Sequence, residues 1–348
     1  FALRAEDVTR VPAKLTVVAE IKAGMDVSGV SIGLGQCAEI MTGAVAPQGT
    51  DAVVMVEYTA RKDDRVEIQR SVTSGENIVP QGSEAQQGQT LLEPGARLTP
   101  AAIAVAASCG VDPVSVYAKP RVAILSTGDE VVDVNAQPLP HQIRNSNTFS
   151  LAAQVQNAGA FPVPLSTAPD ETKRLRELIE QGLASDLLLL TGGVSMGKYD
   201  LVEIVLKELG ANFIFTGAQI QPGKPIVFGE IKGKYFFGLP GNPVSTMVTF
   251  ELFARPIIDA LSGARPAPLR FLHARLKSDI RTKTGLTRFL PARLSGEFSQ
   301  TEVELARWQG SGDIASTARA NCFAVIPPDR EHIPAGEQVS LLFLWQQD

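Results

Sequence analysis

DLLLLTGGVS, running from Asp186 to Ser195, reads as a strand with no polar residue in its body that ends on two glycines. Three further segments are expected to end in the same way, as strands that stop at one edge of the sheet: VAILSTGDE (Val122–Glu130), QPGKPIVFG (Gln221–Gly229) and YFFGLPGNPVS (Tyr235–Ser245). Strands this apolar are buried on both faces, as in a parallel sheet covered by helices on either side. In such sheets ligands collect at the carboxyl ends of the strands, which is where these glycines fall. Gly-rich turns and helix starts leave backbone N–H groups free to cradle an anion. The pattern predicts an α/β sheet with a site for a phosphate-bearing or otherwise anionic small ligand.

Composition bounds the rest. A chain of 348 residues is too long for one ordinary domain, and about two to four are expected. The net charge of −5 argues against general nucleic-acid or acidic-membrane binding, so a few local cations and backbone amides must hold the anion. Cys37, Cys109 and Cys322 are far apart and odd in number, and read as buried small hydrophobes of a reducing, cytoplasmic protein. His141, His273 and His332 are scattered, which disfavours histidine-based catalysis or metal binding. No apolar run approaches the length of a membrane span.

Along the chain, residues 1–82 carry short β-branched runs broken by Gly, Asp and Pro, and are expected to form a β domain. Residues 83–119 include TPAAIAVAASCG, a helix with Thr99 as N-cap, Pro100 in the first turn and Gly110 as the stop. Residues 120–263 alternate strands and helices, the signature of βαβ units. Asp170 and Asp200 open two of the helical stretches, and Pro256 is expected to kink the long run after GNPVS. Residues 264–348 follow a Pro-rich linker and read as a small closed β domain.

The candidate residues have ordinary readings as well as functional ones. Gly192 and Gly193 need close backbone approach by something, a ligand or merely the neighbouring chain. Asp129 and Glu130 follow a strand end. Asp170 stands where an N-cap belongs, and Asp200 with Glu203 fits a capping box. Carboxylates meeting beside a phosphate cradle would also suit Mg²⁺. Lys224, locked between Pro222 and Pro225, is poorly explained as a solubilising charge and suits an oxyanion. Pro240, Gly241, Asn242 and Pro243 stiffen the turn before a helix. On spacing alone, Thr42 is a turn residue and Ser311 is unremarkable.

Taken together, LSTGDE, TGGVSMGKYD, PGKP and GLPGNPVS, with IMTGAVAP before them and QGSGDIASTARANCF after, resemble in order and spacing the molybdopterin molybdenumtransferase family, the MoeA proteins and the gephyrin E domain. The resemblance covers essentially the whole chain. It implies a homodimer in which a MogA-like, three-layer, doubly wound α/β domain is flanked by an N-terminal β domain, a linking helical segment and a C-terminal β-barrel. It implies insertion of molybdate into adenylylated molybdopterin with release of AMP, assisted by Mg²⁺, with a MogA-like adenylyltransferase as the upstream partner. By motif, Thr42, Glu130, Asp170, Asp200 and Lys224 match catalytic positions, and the three acidic residues match metal positions. Thr127, Gly128, Gly192, Gly193, Val194, Ser195 and Gly223 fall on the substrate-binding segments. So do Pro240, Gly241, Asn242, Pro243, Arg288 and Ser311.

The family pattern is not matched everywhere. Its S-x-M-D-G segment and most of its helical linking domain are expected upstream of Phe1. Glu84 follows Gln81-Gly82-Ser83 where many members read R-G-E-D, and Gln221 replaces a frequent lysine. Gly217 stands where some members have a base, and Arg288 lies in a stretch without the usual arginine spacing. The alternatives are a MogA-type adenylyltransferase, a CinA-like pyrophosphatase domain and a gephyrin-like scaffold. MogA proteins usually follow the glycine pair with Thr-Gly, whereas Val194-Ser195 follows here.

Overall fold

The computed structural model of the chain describes residues 1–193, 201–297 and 300–343, so Val194, Ser195 and Asp200 lie outside the described residues. The chain folds as two compact units, Phe1–Glu93 and Pro94–Asp348. The α/β segment and the C-terminal barrel, expected as separate domains, fall within one of them.

The first unit is a six-stranded sheet of β1 (Ala2–Leu3), β2 (Ala13–Ile21), β3 (Gln36–Ile40), β4 (Ala52–Val53), β5 (Thr59–Lys62) and β6 (Arg65–Ile68), in the order β4-β1-β3-β2-β6-β5. Leu3, Leu15, Cys37, Val66 and Ile68 are buried in its core.

The second unit opens with α1 (Pro100–Ser108), where the Thr99 hydroxyl accepts the Ala102 N–H at 3.2 Å and caps the helix as the sequence predicts. The α/β part then runs β7 (Arg121–Ser126), β8 (Val131–Val132), β9 (Ile143–Arg144), α2 (Asn147–Asn157), β10 (Phe161–Pro164), α3 (Thr172–Gly182) and β11 (Leu187–Thr191). It continues through α4 (Leu201–Glu208), β12 (Asn212–Thr216), β13 (Ile220–Gln221), β14 (Val227–Ile231), β15 (Lys234–Leu239), α5 (Pro243–Thr249), a π-helical turn (Phe250–Ala254) and α6 (Arg255–Leu261).

Its sheet has the order β10-β7-β11-β15-β14-β12. Every side chain of β11 is buried, as the apolar run predicts. On one face Leu125, Leu188 and Leu190 pack against Leu175 and Leu178 of α3 and Val205 of α4. On the other, Ile124, Leu189 and Phe237 pack against Leu151 and Val155 of α2 and Ile258 of α6. Each such side chain, once buried, contributes about 1.5–3 kcal/mol. Helices on both faces make the three-layer, doubly wound arrangement.

One expectation is corrected. The four strands do not all end on one edge, because β14 runs antiparallel to β15. The two are joined by Lys232 and Gly233 alone, with φ of 51° and 76°. A two-residue turn with both φ positive closes a hairpin and permits only antiparallel pairing. The PGKP segment therefore reaches the glycine-rich edge as the approach to a strand. At Pro256, where the sequence leads one to expect a kink, the helical run passes through a π turn, Phe250–Ala254, and a widened turn accommodates a proline ring and its missing N–H.

The remaining elements are β16 (Leu272–Leu276), β17 (Ile280–Arg281), β18 (Thr287–Ser295), β19 (Glu302–Leu305), α7 (Ile314–Arg319), β20 (Cys322–Ile326), β21 (His332–Ile333) and β22 (Gln338–Phe343). Five of them close a barrel, β18-β19-β16-β22-β20 and back to β18. Strand β13 leaves the α/β part and pairs in parallel with β18, Ile220 opposite Thr287 and Gln221 opposite Arg288. Ile220, Val244 and Val248 share a buried cluster with Phe289, Phe323 and Leu342 of the barrel. Cys37 and Cys322 are buried as expected, but Cys109 is exposed, because it is the C-cap of α1. Among the described residues no helix is long and apolar enough to cross a membrane.

Candidate functional site

A cavity of ≈ 910 Å³ opens at the glycine-rich edge of the α/β sheet, with the barrel supplying part of its wall. Its floor is made by the ends of β7, β11 and β15. The Thr127 N–H donates to the Thr191 carbonyl at 3.0 Å, which carries the pairing of β7 and β11 one residue beyond the strands. The chain can then turn away sharply only through glycine. Gly192 has φ of 89°, and a Cβ there would stand 2.5 Å from the Thr127 carbonyl oxygen. A Cβ on Gly193, φ 59°, would stand 2.9 Å from Thr127 Oγ1. The glycine pair is thus required first by the neighbouring loop, the ordinary reading of its sequence, and the floor it forms is fixed as a result.

Asn147, the first residue of α2, ties two strand ends together, those of β11 and β15. Its Nδ2 donates to Thr191 Oγ1 at 2.9 Å and to the Gly241 carbonyl at 2.8 Å. The Thr191 hydroxyl in turn donates to the Pro240 carbonyl at 3.2 Å. Behind it, Asn145 Oδ1 accepts from the Thr148 N–H at 3.0 Å and the Ser126 hydroxyl at 3.3 Å, while its Nδ2 donates to the Thr167 hydroxyl at 3.1 Å. Ser126, Asn145, Thr148 and Thr191 are all buried. A polar network this well satisfied holds its geometry without help from a ligand.

Among the described residues, the charged groups on the cavity wall are few. Lys224 and Arg144 are exposed there, and no described carboxylate pairs with either. Glu130 is the one carboxylate among the described residues on the wall, its oxygens lying over Gly128 where a Cβ would meet them at 2.4 Å. Gly128 needs its φ of 126°, outside the range other residues adopt readily. Lys224 is held at its backbone, its carbonyl accepting the Ala218 N–H at 3.0 Å. Gly223 before it has no room for a side chain, since a Cβ would lie 2.5 Å from the Thr249 methyl.

The barrel closes the far wall with Leu286 and the loop Trp308–Ser311. Ser311 joins it to the α/β part twice, its hydroxyl accepting from Asn242 Nδ2 at 2.8 Å and its carbonyl from the Val244 N–H at 3.0 Å. Asp313 caps α7, accepting from the Ser316 N–H at 3.0 Å and from the Gln309 N–H at 3.1 Å. The Ser316 hydroxyl and N–H on its carboxylate hold Asp313 below the usual carboxylate range. Three buried polar atoms of wall residues have no partner among the described residues: Thr127 Oγ1, Asn147 Oδ1 and Trp308 Nε1.

The structure therefore gathers Thr127, Glu130, Gly192, Gly193, Gly223 and Lys224 with Pro240, Gly241, Asn242, Pro243 and Ser311 around one cavity. Others fall elsewhere. Asp170 is not an N-cap: Glu171 holds that position without a capping bond, and the Asp170 N–H donates to Asp129 Oδ1 at 3.0 Å outside the cavity wall. The Arg288 guanidinium is engaged with Gln221 Oε1 and the Lys283 carbonyl. Thr42 lies on an exposed turn of the first unit. Among the described residues no three His, Cys, Asp or Glu side chains form a metal-ion cluster.

The segment Arg144-Asn145-Ser146-Asn147 was not singled out from sequence. Asn and Ser before an apolar helix face read as caps, and only the strand-end partners of Asn147 reveal its second task.

Comparison with known proteins places these features in context. Residues 1–110 match the model of the MoeA N-terminal region (domain I and II), 123–260 that of the probable molybdopterin binding domain, and 273–344 that of the MoeA C-terminal region (domain IV). A molybdopterin molybdenumtransferase of Nostoc sp. is 35% identical, over 99% of this chain and 81% of the relative. One from Bacillus subtilis is 34% identical, over 100% and 83%. A crystal structure of the molybdopterin biosynthesis MoeA protein from Pyrococcus horikoshii OT3 superposes with a TM-score of 0.77 at 28% identity, covering 98% of this chain and 85% of that one.

Proposed function

The chain belongs to the MoeA family of molybdopterin molybdenumtransferases, and from that premise we propose that its cavity binds adenylylated molybdopterin and molybdate, inserts the metal into the pterin dithiolene and releases AMP. The observation that carries the reading is the juxtaposition of Lys224, Arg144 and Glu130 over a floor of hydrogen-bonded strand ends, in a cavity of ≈ 910 Å³. That volume suits a ligand of dinucleotide size rather than a simple ion.

Breaking the phosphoanhydride asks for charge neutralisation and alignment more than for covalent chemistry. Lys224 acts as a point charge on an oxyanion, and Arg144 offers a second cation on the same wall. The Asn147 amide spends both protons on Thr191 and Gly241, so it presents only an acceptor. Phosphates belong towards Lys224, and Asn147 serves by holding the strand ends of the floor in place.

Mg²⁺ fits this wall, since it takes one or two carboxylates and completes its shell with phosphate oxygens and water. Glu130 would hold it, Asp200 being its sequence-predicted companion outside the described residues. When bound it supplies neutralisation of phosphate charge. Asp170 in this reading acts through the loop that carries Asp129. Thr42 serves the site from a partner subunit of a homodimer, and a MogA-like adenylyltransferase delivers the substrate in the cytoplasm. These last elements rest on the sequence motifs and on family membership.

The test is AMP release from adenylylated molybdopterin with and without molybdate. The wild-type chain should release AMP in a metalate-dependent manner. Glu130→Ala should lose release while melting normally, and full turnover by that variant would sink the assignment. Adenylylation from ATP without metalate dependence would favour the adenylyltransferase, and neither activity would favour a scaffold.

A further inference from the structure

We propose that Trp308 is a substrate-binding residue whose indole N–H, without a partner among the described residues, turns into the cavity to donate to an anionic oxygen of the bound substrate. The inference rests on the reaction assigned above and names a contact from the barrel side.

Trp308 is the one aromatic residue among the described residues that line the cavity. Its ring is half-buried, yet its Nε1 is sealed from solvent and bonded to nothing described. An indole N–H can only donate, and a buried donor left unmade is costly enough that native structures rarely keep one without a reason.

The backbone around it is not free to relieve this. The Ala306 N–H donates to the Pro291 carbonyl at 2.9 Å, the Ser316 hydroxyl donates to the Arg307 carbonyl, and the Gln309 N–H donates to Asp313 Oδ2 at 3.1 Å. Three bonds pin the loop on both sides of Trp308, so the side chain is the part that moves. Because its N–H has no open surface, a ligand can reach it only by turning the ring.

The partner must be an acceptor, and the surroundings say of which kind. Ser311, three residues on, is committed to Asn242 and Val244. Lys224 and Arg144 make the cavity favourable to anions. An oxygen of a phosphate and an oxygen of a tetrahedral metalate offer the same charged acceptor, and both belong to the reaction. A donor to a charged oxygen is among the stronger hydrogen bonds. The ring also keeps water from it, which strengthens it further.

The experiment uses tryptophan emission. The chain has two tryptophans, Trp308 and Trp345, so the variant Trp345→Phe reports on Trp308 alone. AMP and molybdate are titrated into it separately. A saturable change with AMP supports the proposal and assigns a phosphate oxygen; one with molybdate supports it and assigns a metalate oxygen. No response to either overturns it.

In parallel, Trp308→Phe keeps most of the ring's bulk and loses the N–H. Its KM for adenylylated molybdopterin or molybdate should rise about tenfold, with kcat within about twofold. An unchanged KM in a normally melting variant overturns the proposal while leaving the assigned reaction intact. Should the wild-type chain release no AMP at all, the reaction fails, and the emission titration still decides the contact.

Discussion

Replacing Gly192 with alanine tests whether the floor of the cavity is set by the protein's own backbone. The residue sits at φ of 89°, where an L side chain costs about 1–2 kcal/mol. The added methyl would also stand 2.5 Å from the Thr127 carbonyl oxygen. That oxygen cannot retreat freely, because the Thr127 N–H is bonded to the Thr191 carbonyl. Forced overpacking of this kind costs a further ~1–3 kcal/mol, for a total of roughly 2–5 kcal/mol. In a unit of this size each kcal/mol lowers the melting temperature by about 2–4 °C, so a fall of roughly 4–20 °C is expected. Gly241→Ala is the control. Its Cβ would meet nothing closer than Gly192 Cα at 3.5 Å, an ordinary contact, so stability should stay within about 0.5 kcal/mol. Scanning calorimetry on the full chain separates the two variants. A Gly192→Ala protein that melts with the wild type, or a Gly241→Ala protein that melts as low as Gly192→Ala, would refute the reasoning.

Other consequences can be measured. Glu251 and Arg255 form a buried pair at 3.1 Å, with Gln154 Nε2 donating to Glu251 at 2.8 Å. Arg255→Met leaves that carboxylate unpaired and should cost about 3–5 kcal/mol. Burial already pushes Glu251 above its ordinary 4.5, and Arg255 opposes the shift. An acid raised in the folded state gives most stability below 4.5 and loses it as pH rises through the folded value. The deficit of Arg255→Met should therefore widen from acid to neutral pH, and an equal deficit across that range would contradict the assignment. Thiol titration of the native chain should find Cys109 reactive, with Cys37 and Cys322 reacting only on unfolding. Burial pushes both of those thiols up to about 11, and three thiols reacting at the same fast rate would refute this. Asn242→Ala removes the bond to Ser311 and should cost about 1 kcal/mol. It should weaken substrate binding more than it lowers melting, and unchanged binding would show that the Ser311 anchor is dispensable.

Much of the architecture is legible because burial is written in hydrophobicity. The apolar body of β11 announces a strand covered on both faces, and Thr99-Pro100 marks the start of α1. Direction is harder to read. Nothing in VFGEI distinguishes a strand that ends at the site from one that begins there, and the Lys232-Gly233 turn decides it. The site follows the same division. Lys224 stands out because two prolines fix its backbone, while Asn147 hides because its partners, Thr191 and Gly241, are distant in sequence. Asp170 misleads for the opposite reason: a carboxylate before an amphipathic run looks like a cap, but the helix starts one residue later than that reading requires.

The two residues of β13 have a wider consequence. They cross from the α/β part to the barrel and return through Pro222 to Lys224, so one stretch of chain belongs to both. Cutting the gene at the Pro-rich linker would yield an α/β fragment with Ile220, Val244 and Val248 stripped of their cover. It would also remove the partner strand from the segment that presents Lys224. The two parts therefore depend on one another: a recombination event that swapped one barrel for another would have to reproduce the edge of β18 as well as its loops.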